Sequence, residues 1–462
     1  MKKLVSIFSF AIILNVSQLS AGALSLDEAL DILKTQNLEI KAANLDVAAA
    51  KADADAVSGM HWGKLDFEQN VARSNDAGNV FGFKLTSREA NFGDFGAKEF
   101  MTNSYLCQNG NTAACNDMYN KPPQDLNYPE DRNFFQSKLK YELPLFTGFA
   151  ISSYSDIMDA MKKIKKLEKE QVINEKIYQL RKSYYDMALL ETSIKNLQKI
   201  LDNIGTLEHM TKTMIDVGYA KHIDLLEVKA KKGNVERLLG QMQANEKLLY
   251  HYISFLLNKK VDKIQTPKSE IAMPICSDDD VLKNNLDIKR AETGLEIRKS
   301  MVDAAQSAYY PMVGAFGEIA TADDTFLGDA DDHKAYTVGA RLTWNIFNGG
   351  IDSAKIQKSK VEKLKMASQV ELARQGIALK LAKIRTEIES VDDEIASLEK
   401  ELEFANAIYE NYEGRYKEKL VSMSDVIIKQ SAQIEKILQL QIAKNRRNEK
   451  IFALEKLLNG EK

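Results

Sequence analysis

Two aspartates occupy matching turns in this 462-residue chain, and they are the side chains most suited to chemistry. Asp224 lies in DVGYAKHIDLLEVKA and Asp425 lies in KEKLVSMSDVIIKQ, and each turn separates two helical patterns. An aspartate at the start of a helix can accept hydrogen bonds from the backbone N–H groups that lack a partner there. The minimal prediction is therefore that both carboxylates cap the returning helices.

The histidines form no pattern that is typical of a catalytic or metal site. None is spaced with a second ligand as a zinc site requires, although the chain has five: His61, His209, His222, His251 and His333. The sequence also lacks a nucleophile elbow, a phosphate loop and a dinucleotide-binding fingerprint. We therefore expect no catalysis, no cofactor and no metal.

The N-terminus is typical of a secretory signal peptide. Lys2 and Lys3 precede an apolar run from Leu4 to Leu14, and small residues follow as far as Ala23. This run is too short to cross a bilayer as a helix. We expect residues 1–23 to be removed and the mature chain to enter an oxidising compartment, where Cys107 and Cys115 could form a disulfide.

Composition favours an ordered chain with long helices. The residues are 44% apolar and 28% charged, the net charge is -3, and only seven are proline. This balance argues against disorder and gives no reason to expect nucleic acid as a partner. Because no run of 18 apolar residues follows the signal peptide, we expect that any membrane crossing would use strands.

The chain is a tandem repeat of one long unit. A constant offset of 201 residues aligns Phe146 with Phe347 and Asp224 with Asp425. Further upstream the offset is 248, because NLEIKAA from residue 37 aligns with NLDIKRA from residue 285. The difference of about 47 residues is an insertion in the first copy. We interpret this insertion as a long loop.

These alignments predict the domain organisation. The first repeat is expected over residues 24–265, with a helix at 26–60, strands at about 64–73 and 134–146, the long loop at 74–133 and a helical hairpin at 150–258. The second repeat is expected over residues 266–462, with a helix at 278–309, strands at about 311–321 and 335–347, and a helical hairpin at 351–459.

The predicted strands alternate apolar and polar residues over about 10 residues, the length that a tilted strand needs to cross a bilayer. Aromatic residues at the strand ends fit a membrane interface: Trp62, Phe146, Trp344 and Phe347. A soluble sandwich shows the same alternation. Four strands cannot close a membrane barrel, so spanning strands would require several chains, two for eight strands or three for 12.

The predicted helices carry a heptad pattern. From Ile377 to Tyr416 apolar residues recur alternately four and three positions apart, and the first repeat has a similar seam up to Ile204. Such helices must pack against neighbours along the seam. A structural coiled coil would show the same pattern, but the signal peptide and the strands argue against a cytosolic one.

The order of these elements, the strand ends FTG and FNGG and the turn YKEKLVSMSDVI resemble the TolC-type outer-membrane efflux proteins (outer membrane factors). The resemblance covers nearly the whole mature chain. It implies a homotrimer in the outer membrane of a Gram-negative bacterium, with a 12-stranded β-barrel continued by an α-helical coiled-coil barrel in the periplasm. It also implies two partners, a periplasmic adaptor (membrane fusion) protein and an inner-membrane transporter of the RND, ABC or a similar class.

In that family the helical tip carries the turn Tyr-x-x-Gly followed by an aspartate, and the aspartates line the entrance. Tyr416 and Asp425 match in the second repeat and Gly218 and Asp224 in the first, whereas Lys419 replaces the usual glycine. The resemblance implies a gate formed by Asp224, Asp425, Tyr416 and Lys419, and adaptor docking by Val217, Gly218, Tyr219, Leu420 and Val421. Six carboxylates around one narrow mouth would favour cations.

Two other functions fit parts of the sequence. A secreted or periplasmic structural coiled-coil protein with a soluble β domain would explain the helices and the signal peptide. A periplasmic adaptor is disfavoured, because adaptors do not show a duplicated strand pair. An outer-membrane export channel accounts for most of the observations.

Overall fold

A computed structural model of the chain describes residues 23–267, 271–328 and 330–458. The predicted signal peptide lies outside the described residues apart from Ala23. Two compact units make up the chain. Among the described residues, the helical unit comprises residues 23–48, 164–267, 271–292 and 369–458, and the sheet unit comprises residues 49–163, 293–328 and 330–368.

The first repeat contains eight α-helices and two strands among the described residues. In chain order these are α1 (Leu26–Gln36), α2 (Leu38–Gly59), β1 (Lys64–Ser74), α3 (Ala77–Thr86), α4 (Ala97–Gln108), α5 (Thr112–Asn120), α6 (Gln124–Asn127), β2 (Arg132–Phe146), α7 (Ala150–Asp216) and α8 (His222–Leu257). Short 3-10 helices lie at Met60–Trp62 and Phe92–Phe95.

The second repeat has the same order without the inserted helices. It contains α9 (Asp278–Asn284), α10 (Leu286–Gln306), a 3-10 helix at Ser307–Tyr309, β3 (Met312–Asp323), β4 (Lys334–Thr343), α11 (Ile351–Lys417) and α12 (Met423–Leu457). The long helices α7 and α11 both have 67 residues and coincide at the offset of 201. Among the described residues, no helix has both the length and the apolar character needed to span a bilayer.

The first helix of each repeat is broken where the sequence predicted a continuous one over 26–60 and 278–309. The break lies at Asn37 in the first repeat, whose Oδ1 accepts hydrogen bonds from Glu39 N at 2.9 Å and Ile40 N at 3.0 Å and so starts a new helix. Asn37 Nδ2 donates to Leu256 O at 2.8 Å.

The second repeat preserves these contacts at Asn285. Its Oδ1 accepts from Asp287 N and Ile288 N, and its Nδ2 donates to Leu457 O at 3.3 Å. Leu457 is the repeat equivalent of Leu256. Both asparagines therefore fasten the first helix of a repeat to the last helix of the same repeat.

The insertion is helical, not the long loop predicted over 74–133. Asp76 and Asn111 accept backbone hydrogen bonds at the starts of α3 and α5, and such caps make short helices feasible. A disulfide between Cys107 and Cys115 joins α4 to α5. Phe83 of α3 stacks on Phe134 of β2 at a centroid distance of 4.2 Å, so the insertion packs against the sheet.

The four strands form one antiparallel sheet in the order β1-β2-β3-β4. β4 ends at Thr343, earlier than the predicted residue 347, because Thr343 pairs with Met312, the first residue of β3. Beyond that pair the indole Nε1 of Trp344 donates to Tyr309 O at 3.2 Å.

Candidate functional site

The turns after α7 and α11 have the same backbone structure. Tyr219 N donates to Met214 O at 2.7 Å, and Leu420 N donates to Arg415 O at 2.9 Å, the equivalent bond one repeat later. Each turn has a residue in the left-handed conformation, Gly218 with φ +80° and Lys419 with φ +64°. We call these two turns and the first residues of α8 and α12 the hairpin tips.

Both predicted aspartates cap the helices that start at the hairpin tips. Asp224 Oδ2 accepts from Lys221 N at 2.8 Å. Asp425 Oδ2 accepts from Ser422 N at 3.0 Å and from Ser422 Oγ at 2.6 Å, while Asp425 N donates to Ser422 Oγ. Because the second repeat has a serine at the cap, it forms a reciprocal capping box. The cap uses one carboxylate oxygen of each aspartate, so it does not conflict with a role in an entrance ring.

The Ser422 cap also sets the charge of Asp425. Two hydrogen bonds lower the pKa of Asp425, chiefly the one from the Ser422 hydroxyl and next the one from the Ser422 backbone N–H. The positive charges of Lys429 and Arg415 lower it slightly further. Asp425 is therefore ionised at neutral pH and places a negative charge at the tip.

Tyr416 is buried in the hydrophobic cluster that joins the two hairpins. Only 5% of its surface is exposed, and its hydroxyl lies 3.5 Å from Thr211 Oγ1. Burial raises the pKa of Tyr416, although the Thr211 hydrogen bond opposes this shift. The tyrosine is thus a neutral link between α7 and α11.

Lys419 contacts an aromatic ring of the other hairpin tip. Its Nζ lies 3.5 Å from the ring centroid of Tyr219, a cation–π contact. The two turns are also joined close by through Ser424 Oγ, which donates to Glu227 Oε2. One predicted gate residue of the second repeat, Lys419, therefore contacts one predicted docking residue of the first, Tyr219.

The predicted docking residues differ in exposure. Val217, Gly218, Tyr219 and Leu420 are exposed, whereas Val421 is half-buried and packs against the cluster around Tyr416. Sequence reasoning missed further exposed apolar side chains in the first turns of the returning helices: Ile223, Leu226 and Ile428. The sequence could have indicated them, because a helix that faces water carries polar residues on the face opposite its buried face, and these positions are apolar.

The sheet exposes an apolar face. Phe67, Leu139, Ile319 and Tyr336 are consecutive cross-strand partners, with exposed fractions of 68%, 43%, 59% and 82%. The opposite face is charged: Lys138 Nζ lies 3.2 Å from Glu318, and ion pairs join Lys64 to Asp66 and Lys140 to Glu142. An exposed apolar surface of this kind indicates contact with lipid or another protein.

The predicted interface aromatics lie where the strands end. Trp62, Trp344 and Phe347 are exposed, and Phe146 is half-buried in edge-to-face contact with Phe149. Tyr141 Oη donates to Trp62 O at 2.6 Å, which connects the 3-10 helix before β1 to β2.

Comparison with known proteins identifies relatives of this architecture. The model of the family "Outer membrane efflux protein" matches residues 279–460, within the second repeat. A search of curated protein sequences found no match.

Solved structures match nearly the whole fold. CusC, described in terms of folding and transmembrane channel formation, superposes with a TM-score of 0.77 over 94% of this chain and 92% of its own, at 14% identity. VceC of Vibrio cholerae gives 0.74 over 94% and 96%, at 14% identity. The MtrE outer-membrane channel of Neisseria gonorrhoeae gives 0.73 over 94% and 89%, at 15% identity. The predicted fold class, two copies of a strand hairpin plus a long helical hairpin, is confirmed.

Proposed function

We propose that this chain is a member of the outer membrane efflux protein family and is the outer-membrane channel of a tripartite efflux or type I secretion system. The match of the family model to residues 279–460 supports an outer-membrane efflux channel rather than an enzyme. The proposal adds a passive trimeric exit duct that is gated at its periplasmic tip. The sequence has no motif for binding a phosphate or a dinucleotide, so we assign the supply of energy to the partners. An adaptor and an inner-membrane transporter open the duct and deliver cargo to it.

The observation that carries the proposal is the exposed apolar face of the sheet. A single four-stranded sheet leaves backbone groups unpaired at two edges, since β1 and β4 each pair on one side among the described residues. Unpaired N–H and C=O groups in lipid cost several kcal/mol each. Three copies that pair β4 of one chain with β1 of the next would close a 12-stranded barrel, with the apolar face toward lipid and the charged face toward the lumen.

Cell fractionation and electrophoresis test this proposal. We expect the protein in the outer membrane, as a detergent-resistant band of three chains that dissociates on heating. Release as a soluble monomer or dimer would support the rival function, a secreted or periplasmic structural coiled-coil protein with a soluble β domain. A soluble protein of that kind would have to cover the apolar face of the sheet.

For the gate we propose that Asp224 and Asp425 line the entrance, with Tyr416 and Lys419 holding the hairpins together. Three copies of these two acidic side chains would attract cations and repel anions. Tyr416 between α7 and α11 and Lys419 on Tyr219 join the two hairpins within one chain. Opening would then separate these contacts or move neighbouring chains apart.

For adaptor docking we propose the exposed residues of the hairpin tips. Val217, Tyr219 and Leu420 present apolar surface next to Gly218, whereas Val421 supports them from the cluster below. A photo-crosslinking residue at the exposed position 217, next to Gly218, should capture an adaptor, and the same residue at the exposed position 259 beyond α8 should not. Capture at both positions or at neither would contradict this docking surface.

A further inference from the structure

We propose that Glu89, Asp323 and His333 form a binding site for a divalent transition-metal ion such as Zn²⁺, which fastens the insertion of the first repeat to the β3–β4 connection. Each side chain offers one ligand atom, and these atoms all lie within 4.8 Å of one another. The three residues belong to the sheet unit. This proposal does not depend on the gate or on the partners of the channel.

The three ligands come from separate segments, which is why their spacing in the sequence gives no metal signature. Glu89 follows α3 in the insertion, Asp323 is the last residue of β3, and His333 directly precedes β4. The antiparallel pairing of β3 with β4 brings Asp323 and His333 to one end of the sheet. Packing of α3 on β2, through Phe83 and Phe134, brings Glu89 to the same end.

His333 has a buried ring nitrogen with no hydrogen-bond partner among the described residues. Only 9% of the residue is exposed, and the nitrogen without such a partner is Nδ1. Leaving a buried polar atom unsatisfied costs about 1–3 kcal/mol. A neutral imidazole is also the commonest side-chain metal ligand, so a bound ion would satisfy this nitrogen.

Asp323 is held in place before any ion binds. Its Oδ1 accepts from Asp324 N at 2.7 Å, and its Oδ2 accepts from Thr325 Oγ1 at 3.1 Å. The β3–β4 connection then folds over the carboxylate at Gly328, where an added Cβ would lie 1.9 Å from Asp323 Oδ2. Hydrogen bonds that orient a ligating carboxylate in this way raise metal affinity.

The charges around the cluster favour a dication. Arg132 forms an ion pair with Glu89, and its Nη1 lies 3.9 Å from Asp324 Oδ2. The guanidinium of Arg132 contacts two carboxylates, those of Glu89 and Asp324, and Asp323 adds a third acidic group beside Glu89. Because a carboxylate has two oxygens, Glu89 can keep its arginine and still bind an ion.

The ligand set selects the class of metal. One imidazole nitrogen with two carboxylate oxygens is a set that zinc accepts, whereas calcium and magnesium prefer oxygen alone. Zinc ligands lie at about 2.0–2.2 Å, so small side-chain movements would complete the site. Three protein ligands leave a fourth position for water.

Zinc titration of the purified, chelator-treated full-length protein tests the site. By calorimetry we expect about one Zn²⁺ for each chain, and X-ray absorption should show nitrogen and oxygen ligands without sulfur. His333→Ala should weaken binding at least about 100-fold. Asp323→Asn and Glu89→Gln change the charge at nearly constant size and should also weaken it. His61→Ala, an exposed histidine of the same unit, is the matched control and should bind as the wild type does.

Two results would overturn the proposal: no zinc uptake by the wild type at millimolar Zn²⁺, or unchanged binding by all three site variants, which would place the ion at other histidines. Circular dichroism without metal checks folding. If His333→Ala fails to fold, the two size-matched variants decide the question.

Discussion

At the scale of single residues, Glu208 has the most strongly lowered pKa among the described carboxylates of the first hairpin. It accepts hydrogen bonds from Lys212 Nζ at 2.9 Å and Lys232 Nζ at 3.1 Å, and so joins α7 to α8. These hydrogen bonds lower the pKa of Glu208 to about 2, and the bond from Lys212 has the larger effect. A lowered carboxylate pKa gives stability that is present above the ordinary value near 4.5 and is lost as pH falls toward 2.

Glu208→Gln should therefore destabilise the hairpin at pH 7 and less so in acid. We expect a loss of about 1 kcal/mol, because both lysines are partly exposed and solvent screens the pairs. Thermal unfolding in detergent, compared with the wild type between pH 7 and pH 3, should show the difference shrinking below about pH 4.5. A difference that stays constant down to pH 3 would mean that the charge of Glu208 contributes nothing.

A second prediction at this scale concerns the charge of the gate aspartates, Asp224 and Asp425. Asp224→Asn with Asp425→Asn keeps an oxygen that can accept the cap hydrogen bonds but removes the charge. We expect the double variant to insert normally and to lose cation selectivity in planar bilayers. Asp262→Asn removes an exposed carboxylate beyond α8 and is the control. Unchanged selectivity in the double variant would refute an entrance ring.

At the scale of elements, the turn after α7 depends on the left-handed conformation of Gly218. An added Cβ would meet no atom within 4 Å, so Gly218→Ala would cost only the backbone strain, about 1–2 kcal/mol. Gly205 lies inside α7 and also has open space around it.

Gly205→Ala should stabilise the helix by up to about 1 kcal/mol, because alanine is the better helix former. Thermal unfolding should therefore shift in opposite directions for the two glycine variants. A shift of the same sign for both would show that the conformation at Gly218 is not what holds the turn.

The helices also show which elements could be predicted from the sequence alone. Heptads and the offset of 201 predicted α7, α8, α11 and α12 closely, because long amphipathic periods are strong local signals. The break at Asn37 was missed, since apolar residues continue through it and the decisive bond reaches Leu256, far away in the chain. The inserted helices were missed because caps and one disulfide, not a periodic face, hold such short segments.

The candidate sites also divide into those that the sequence predicted and those that it missed. Repetition of Asp224 as Asp425 made the hairpin tips recognisable, and the capping role was among the roles anticipated. The contact of Lys419 with Tyr219 and the cluster of Glu89, Asp323 and His333 join segments that are distant in the sequence. Spacing carries no information about such contacts.

At the scale of the whole molecule, adjacent residues of β4 should respond oppositely to a new charge. Val338 lies on the exposed apolar face, as the partner of Gly317, and Thr337 lies on the charged face, as the partner of Glu318. Val338→Lys should reduce assembly in the outer membrane, because a lysine that faces lipid costs about 2–4 kcal/mol at the middle of the bilayer. Thr337→Lys places the same charge opposite Glu318 and should assemble nearly as the wild type does. Equal assembly of both variants on membrane fractionation would contradict the assignment of the faces.

Spin labels can show directly whether the apolar face of this sheet contacts lipid. Single cysteines at positions 338 and 337, in a Cys276→Ser background, would carry nitroxides in protein reconstituted into bilayers. We expect oxygen, which enters lipid, to relax the label at 338, and a water-soluble nickel complex to relax the label at 337. Relaxation of the 338 label by the nickel complex rather than by oxygen would show that this face does not contact lipid.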